Sequence, residues 1–79
     1  MKTPITVMLV EDNREYREVI RLALDRDQHT ELACEFSTAE IALRSLRDRA
    51  IQRPPDVILL DLRLPGMSGI DALPHFAQS

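Results

Sequence analysis

The stretch Asp56-Val57-Ile58-Leu59-Leu60-Asp61-Leu62-Arg63-Leu64-Pro65-Gly66-Met67-Ser68-Gly69 decides how the rest of the chain is read. Four apolar residues, Val57 to Leu60, run unbroken into one carboxylate, Asp61, and then toward a Pro-Gly turn. An unalternating run of this length, bounded by turn residues, is the pattern of a parallel strand covered by helices on both faces. Asp61 then stands at the carboxyl end of the strand, the edge where open α/β sheets leave a crevice for ligands.

Upstream, Ile5-Thr6-Val7-Met8-Leu9-Val10 is mostly apolar and β-branched, reads as an inner strand, and ends in Glu11-Asp12-Asn13. From Arg14 to about Asp27, Tyr16, Val19, Ile20, Ala23 and Leu24 recur at amphipathic-helix spacing, with Asn13 as N-cap. Thr30 to Phe36 alternates, predicting a half-exposed edge strand with Leu32, Cys34 and Phe36 on one face. Ser37-Thr38-Ala39-Glu40 has the S-x-x-E spacing of a capping box and opens a helix striped by Ala39, Ala42, Leu43, Leu46 and Ala50. That helix ends before Pro54-Pro55, because a residue preceding proline is steered out of the α region. Ser68 caps a third helix from Gly69 to about Phe76, which Pro74 should shorten or kink; Ala77-Gln78-Ser79 reads as a polar tail. The order βαβαβα predicts a parallel sheet with right-handed crossovers.

Length and composition bound the rest. The chain's 79 residues make one small domain spanning 1–79 with no room for a second. Ten Lys and Arg are interleaved with thirteen Asp and Glu, for a net charge of -3, and aromatics make up only 4%. Neither a basic face nor a stacking surface for nucleic acid is expected. Cys34 is the single cysteine, so no intrachain disulfide forms and the chain suits a reducing compartment. No apolar run approaches the length needed to span a bilayer, and we expect a cytoplasmic protein with no membrane contact. His29 and His75 lack ligand-spaced neighbours. No P-loop, G-x-G-x-x-G or G-x-S-x-G occurs, which weighs against nucleotide binding and hydrolase chemistry.

If the first and third strands are neighbours, Glu11, Asp12 and Asp61 meet on one rim. Three carboxylates in one crevice repel, so a cation must offset them or one must hold a proton. Hard oxygen ligands on a loop rim suit Mg²⁺, which takes one or two carboxylates, keeps waters and accepts phosphate oxygens. The bland reading of Glu11-Asp12 alone is a solvated helix entry, favoured by the macrodipole. Asp61, closing an apolar strand opposite that pair, is hard to explain by solubility.

Leu9-Val10-Glu11-Asp12-Asn13 together with Val57 through Gly69 resembles the receiver domain of two-component response regulators, over nearly the whole chain. The resemblance implies a flavodoxin-like (CheY-like) doubly wound α/β fold, family order 2-1-3-4-5, of which this chain would hold the βαβαβα portion, order 2-1-3. It implies that Asp61 is the phosphoacceptor, receiving its phosphoryl group from a sensor histidine kinase. It implies Mg²⁺ held by Asp12 and Asp61 directly, by Glu11 directly or through water, and by the backbone carbonyl of Arg63. Such a protein is a signalling phosphoacceptor rather than an enzyme. A dehalogenase-type aspartyl-phosphate hydrolase would place a second Asp where Arg63 stands.

Receivers continue through a fourth strand ending in Ser or Thr and a fifth followed by Lys, both beyond the third βα unit where this chain stops. We therefore expect the Val57–Leu60 strand to be an exposed edge that recruits a second copy into a homodimer. Two functional readings follow: a phosphoacceptor whose output domain, in this family sometimes DNA-binding, lies elsewhere, or a receiver-derived fragment that self-associates without phosphotransfer.

Overall fold

Strand β1 (Ile5–Val10) is the axis of the molecule: Val7, Met8, Leu9 and Val10 are each at most 3% exposed. Its neighbours are β2 (Thr30–Phe36) and β3 (Val57–Leu60), giving a parallel three-stranded sheet of order β2-β1-β3. The parallel pairing is what the alternating pattern predicts and the flavodoxin-like order is the one the resemblance implies, seen here in a computed structural model that describes residues 3–48 and 54–78. Among the described residues no helix is long and apolar enough to cross a membrane.

Helices α2 (Ala39–Arg47) and α3 (Gly69–Gln78) cover one sheet face, where Met8, Val10, Ala39, Ala42, Leu64 and Ala72 form the core with Ile58, Leu60, Cys34 and Phe36 packed against it. Half-buried Cys34 has its thiol pushed up by burial, as an inert core cysteine should. The other face is covered by α1 (Arg14–Asp25), which ends two residues before the expected Asp27.

Several expectations need correction. Alternation along β2 would put Leu32, Cys34 and Phe36 on one face, but a register shift at Val7/Met8 pairs Leu32 with Val7 and Cys34 with Met8. The bulged Ala33 sends Leu32 to the α1 side and Cys34 and Phe36 to the core. The stripe expected on α1 is also split. Ile20 and Leu24 are half-buried beside Arg17 and Arg21, whereas Tyr16 is 61% and Val19 65% exposed, and no residue of α1 is fully buried. Arg21 reaches Glu35 on β2, so by helical spacing Tyr16, Val19 and Ala23 lie on the flank away from β2. Below that flank, Val57 and Leu59 are 42% and 39% exposed: among the described residues β3 pairs with β1 alone and is covered on one face rather than both.

Local chemistry sets the helix entries. Asn13 Oδ1 accepts from Tyr16 N at 3.0 Å and Ser68 Oγ from Asp71 N at 3.1 Å, as expected. At α2 the cap is Thr38, whose Oγ1 accepts from Ile41 N at 3.2 Å, not Ser37. Glu40 does not close a capping box; its Oε2 accepts from Met67 N at 3.2 Å. Helix α3 runs through Pro74 to Gln78, taking up Ala77 and Gln78 of the expected tail. Ala50 of the α2 stripe and Ser79 lie outside the described residues.

The start of β3 is clamped to β1. Asp56 Oδ2 accepts from Thr6 N at 2.9 Å and from Thr6 Oγ1 at 3.1 Å, while Asp56 N donates to Thr6 O at 2.9 Å. Thr6 is buried, so losing the carboxylate strands its donors away from water. Asp56→Ala is expected to lower the unfolding free energy by about 1–3 kcal/mol, the cost of an unmade buried hydrogen bond, measured by urea denaturation.

Candidate functional site

Pairing of Val10 with Leu60 ends β1 and β3 at the same level, and the chain leaves both tips in step. Glu11 N donates to Phe36 O and Asp61 N to Val10 O, each at 3.0 Å, so both acidic residues are fixed by the sheet's last backbone bonds. The carboxylates of Glu11, Asp12 and Asp61 consequently meet, each offering an oxygen within 4.8 Å of the others. Residues fifty positions apart in the chain thus form one cluster.

Its members differ in environment. Glu11 is buried, Asp61 half-buried and Asp12 exposed. Glu11 Oε2 accepts from Asn13 N at 3.1 Å, and Asp61 Oδ1 from Arg63 N at 3.0 Å. Burial pushes the Glu11 carboxyl above its ordinary range; the Asn13 amide pulls the other way, and contact with Asp61 and Asp12 pushes it up further. Burial disfavours the charged form most, and the neighbouring carboxylates add to it. The donor set fits a hard cation: octahedral Mg²⁺, with ligands at about 2.0–2.1 Å, needs oxygens roughly 3–4 Å apart, within reach of small side-chain rotations.

Arg63 lies exposed on the loop two residues past Asp61, its amide turned to the Asp61 carboxylate. That loop is held at two glycines. Gly66 has φ +70°, the left-handed region, and a Cβ there would stand 2.5 Å from Glu40 Oε2. At Gly69 a Cβ would collide with Asp61 O and the Leu62 backbone, so α3 starts this close to Asp61 only because the side chain is absent. Two contributors escaped the sequence reading. Glu40, assigned to its own helix cap, latches the loop at Met67, and Arg17 bonds the backbone of the acidic pair. The signal for Arg17 was a guanidinium inside the sheet-facing spacing of α1.

Residues 7–79 match the family described as response regulator receiver domain. Among curated proteins, the chain is 39% identical over 72 residues to a protein-glutamate methylesterase/protein-glutamine glutaminase of Paramagnetospirillum magneticum, covering 91% of this chain and 19% of that protein. It is 39% identical over 71 residues to the nitrate/nitrite response regulator protein NarP of Escherichia coli, covering 90% and 31%. Among solved structures, a LuxR-family two-component response regulator from Aurantimonas superposes with a TM-score of 0.80 at 33% identity, covering 96% of this chain and 51% of that one. The chain thus spans between a fifth and a third of these curated relatives and about half of the solved chain.

The raised Glu11 pKa has a definite consequence for stability. The folded state holds that proton more firmly than the unfolded chain, so stability without metal falls as pH rises above the ordinary value of 4.5 through the raised one. Glu11→Gln keeps an acceptor for Asn13 N but removes the charge. In chelator-treated protein it is expected to melt above the wild type at neutral pH, the difference closing as pH falls toward the ordinary carboxylate range, measured by circular dichroism.

Proposed function

The chain belongs to the response regulator receiver domain family, and from that membership we propose that Asp61 accepts a phosphoryl group from the phosphohistidine of a sensor histidine kinase. The observation that carries this reading is the convergence of Glu11 and Asp12 on Asp61 at the carboxyl rim of the sheet. A receiver domain is a signalling module, and enzymatic relatives such as the methylesterase extend far beyond the part this chain matches.

In this reading an oxygen of Asp61 forms the new P–O bond as the P–N bond to the donor imidazole breaks, the bonding pair leaving with the nitrogen. The Arg63 N–H on Oδ1 orients the carboxylate for that approach. Glu11, Asp12, Asp61 and the Arg63 carbonyl would hold Mg²⁺. When bound, the cation neutralises charge that spreads over the phosphoryl oxygens, so catalysis is positioning and electrostatics. With its lone half-buried cysteine, the chain would work in the reducing cytoplasm.

Incubation with Mg²⁺ and a small acyl phosphate, followed by intact mass measurement, tests the assignment. One phosphoryl adduct is expected in the wild type and none in Asp61→Asn. No adduct at any donor concentration, or an adduct that survives the substitution, would contradict it.

The exposed Val57 and Leu59 on the free β3 edge favour a second reading, in which two copies pair through this strand. Sedimentation equilibrium at micromolar concentration is expected to give a dimer that Leu59→Lys returns to monomer; a wild-type monomer removes the reading.

A further inference from the structure

The acidic loop is held from below by one side chain. Arg17 Nη1 donates to Glu11 O at 3.0 Å and, over a longer 3.5 Å, to Asp12 O, while Arg17 N donates to Asn13 O at 3.0 Å. Three successive carbonyls of the β1–α1 turn are therefore taken by a single residue. Its guanidinium is itself restrained, with side-chain exposure of 20% and Nε 3.6 Å from Glu35 Oε1. Glu35 is in turn gripped by Arg21, with Nε to Oε2 at 3.2 Å and Nη2 to Oε1 at 2.8 Å. This planar fork on a carboxylate is a geometry that lysine cannot copy. The chain Arg21–Glu35–Arg17 runs from the α1–β2 interface to the peptide planes on either side of Asp12.

We infer that Arg17 is a positioning residue for the acidic site, fixing the turn from Glu11 to Asn13 so that the carboxylates of Glu11 and Asp12 converge on Asp61. The inference rests on the proposed Mg²⁺ site for its functional meaning and on the hydrogen bonds above for its physical basis. Two roles for a guanidinium here have opposite signs. As a nearby positive charge it would repel a cation, and neutralising it would tighten Mg²⁺ binding. As a backbone clamp it holds the ligands in place, and removing it weakens binding, as loss of groups that orient metal ligands does elsewhere.

The test compares wild type, Arg17→Gln, Arg17→Lys and Arg21→Gln of the whole chain, with two readouts. In metal-free protein, amide hydrogen exchange at Asp12 and Asn13 is expected to accelerate in Arg17→Gln and Arg17→Lys but not in Arg21→Gln, which loses stability without losing a bond to the loop. By calorimetry, Mg²⁺ affinity is expected to fall about tenfold in both Arg17 variants and to stay within about twofold in Arg21→Gln. Unchanged exchange, tighter Mg²⁺ binding in Arg17→Gln or full rescue by Arg17→Lys would each overturn the inference. A wild type that binds no Mg²⁺ would overturn the proposed function instead, and the exchange data would still decide whether Arg17 holds the turn.

Discussion

The parallel ladder between β1 and β3 is the constraint on which everything else rests. It is short, running from Val7 opposite Val57 to Val10 opposite Leu60, with Asp56 clamped to Thr6 at one end and Asp61 N bonded to Val10 O at the other. A slip of one residue would turn Ile58 and Leu60 out of the core and swing Asp61 to the other face, because side chains alternate along a strand. Packing of Ile58 and Leu60 beside Met8 and Val10 therefore fixes where the acidic residues stand. Core and site share one register.

That placement sets like charges together, which the fold tolerates by unequal treatment. Glu11 is buried and drawn toward its protonated form, Asp61 is half-buried and bonded by the Arg63 amide, and Asp12 faces solvent. Under the proposed function, proton and metal would compete for one set of oxygens. The supports come from three directions: Arg17 beneath the first loop, Glu40 behind the second, and Gly69 allowing α3 to begin against the Asp61 backbone.

Much of this was legible in the residues themselves. The bounds of all three strands follow from apolar runs and alternation and the Asn13 and Ser68 caps from residue type, while the cluster of Glu11, Asp12 and Asp61 follows once the resemblance sets the first and third strands side by side. What was not legible depends on tertiary partners. Glu40 three residues after Ser37 is a capping-box pattern, yet the carboxylate is more useful to the Met67 amide, which only the fold brings near. The apolar spacing of α1 describes a helix but not which flank the sheet will meet, and Arg17 and Arg21 take that place to reach Glu35. A bulge at Ala33 shifts register without a glycine to announce it. Pro74, unwelcome inside a helix, is carried through because Ala72 and Phe76 on either side pack into or against the core.

Under the proposed function, two strand tips jointly hold one hard cation. Mn²⁺ is a paramagnetic, oxygen-preferring substitute for Mg²⁺, and it broadens amide signals near the ion. Substoichiometric Mn²⁺ added to the isotope-labelled chain should broaden residues 11–13 and 61–63 together and leave Asp27 to Thr30, at the opposite end of the sheet, sharp. Broadening confined to only one of the two tips, or spread evenly over the acidic surface, would contradict it.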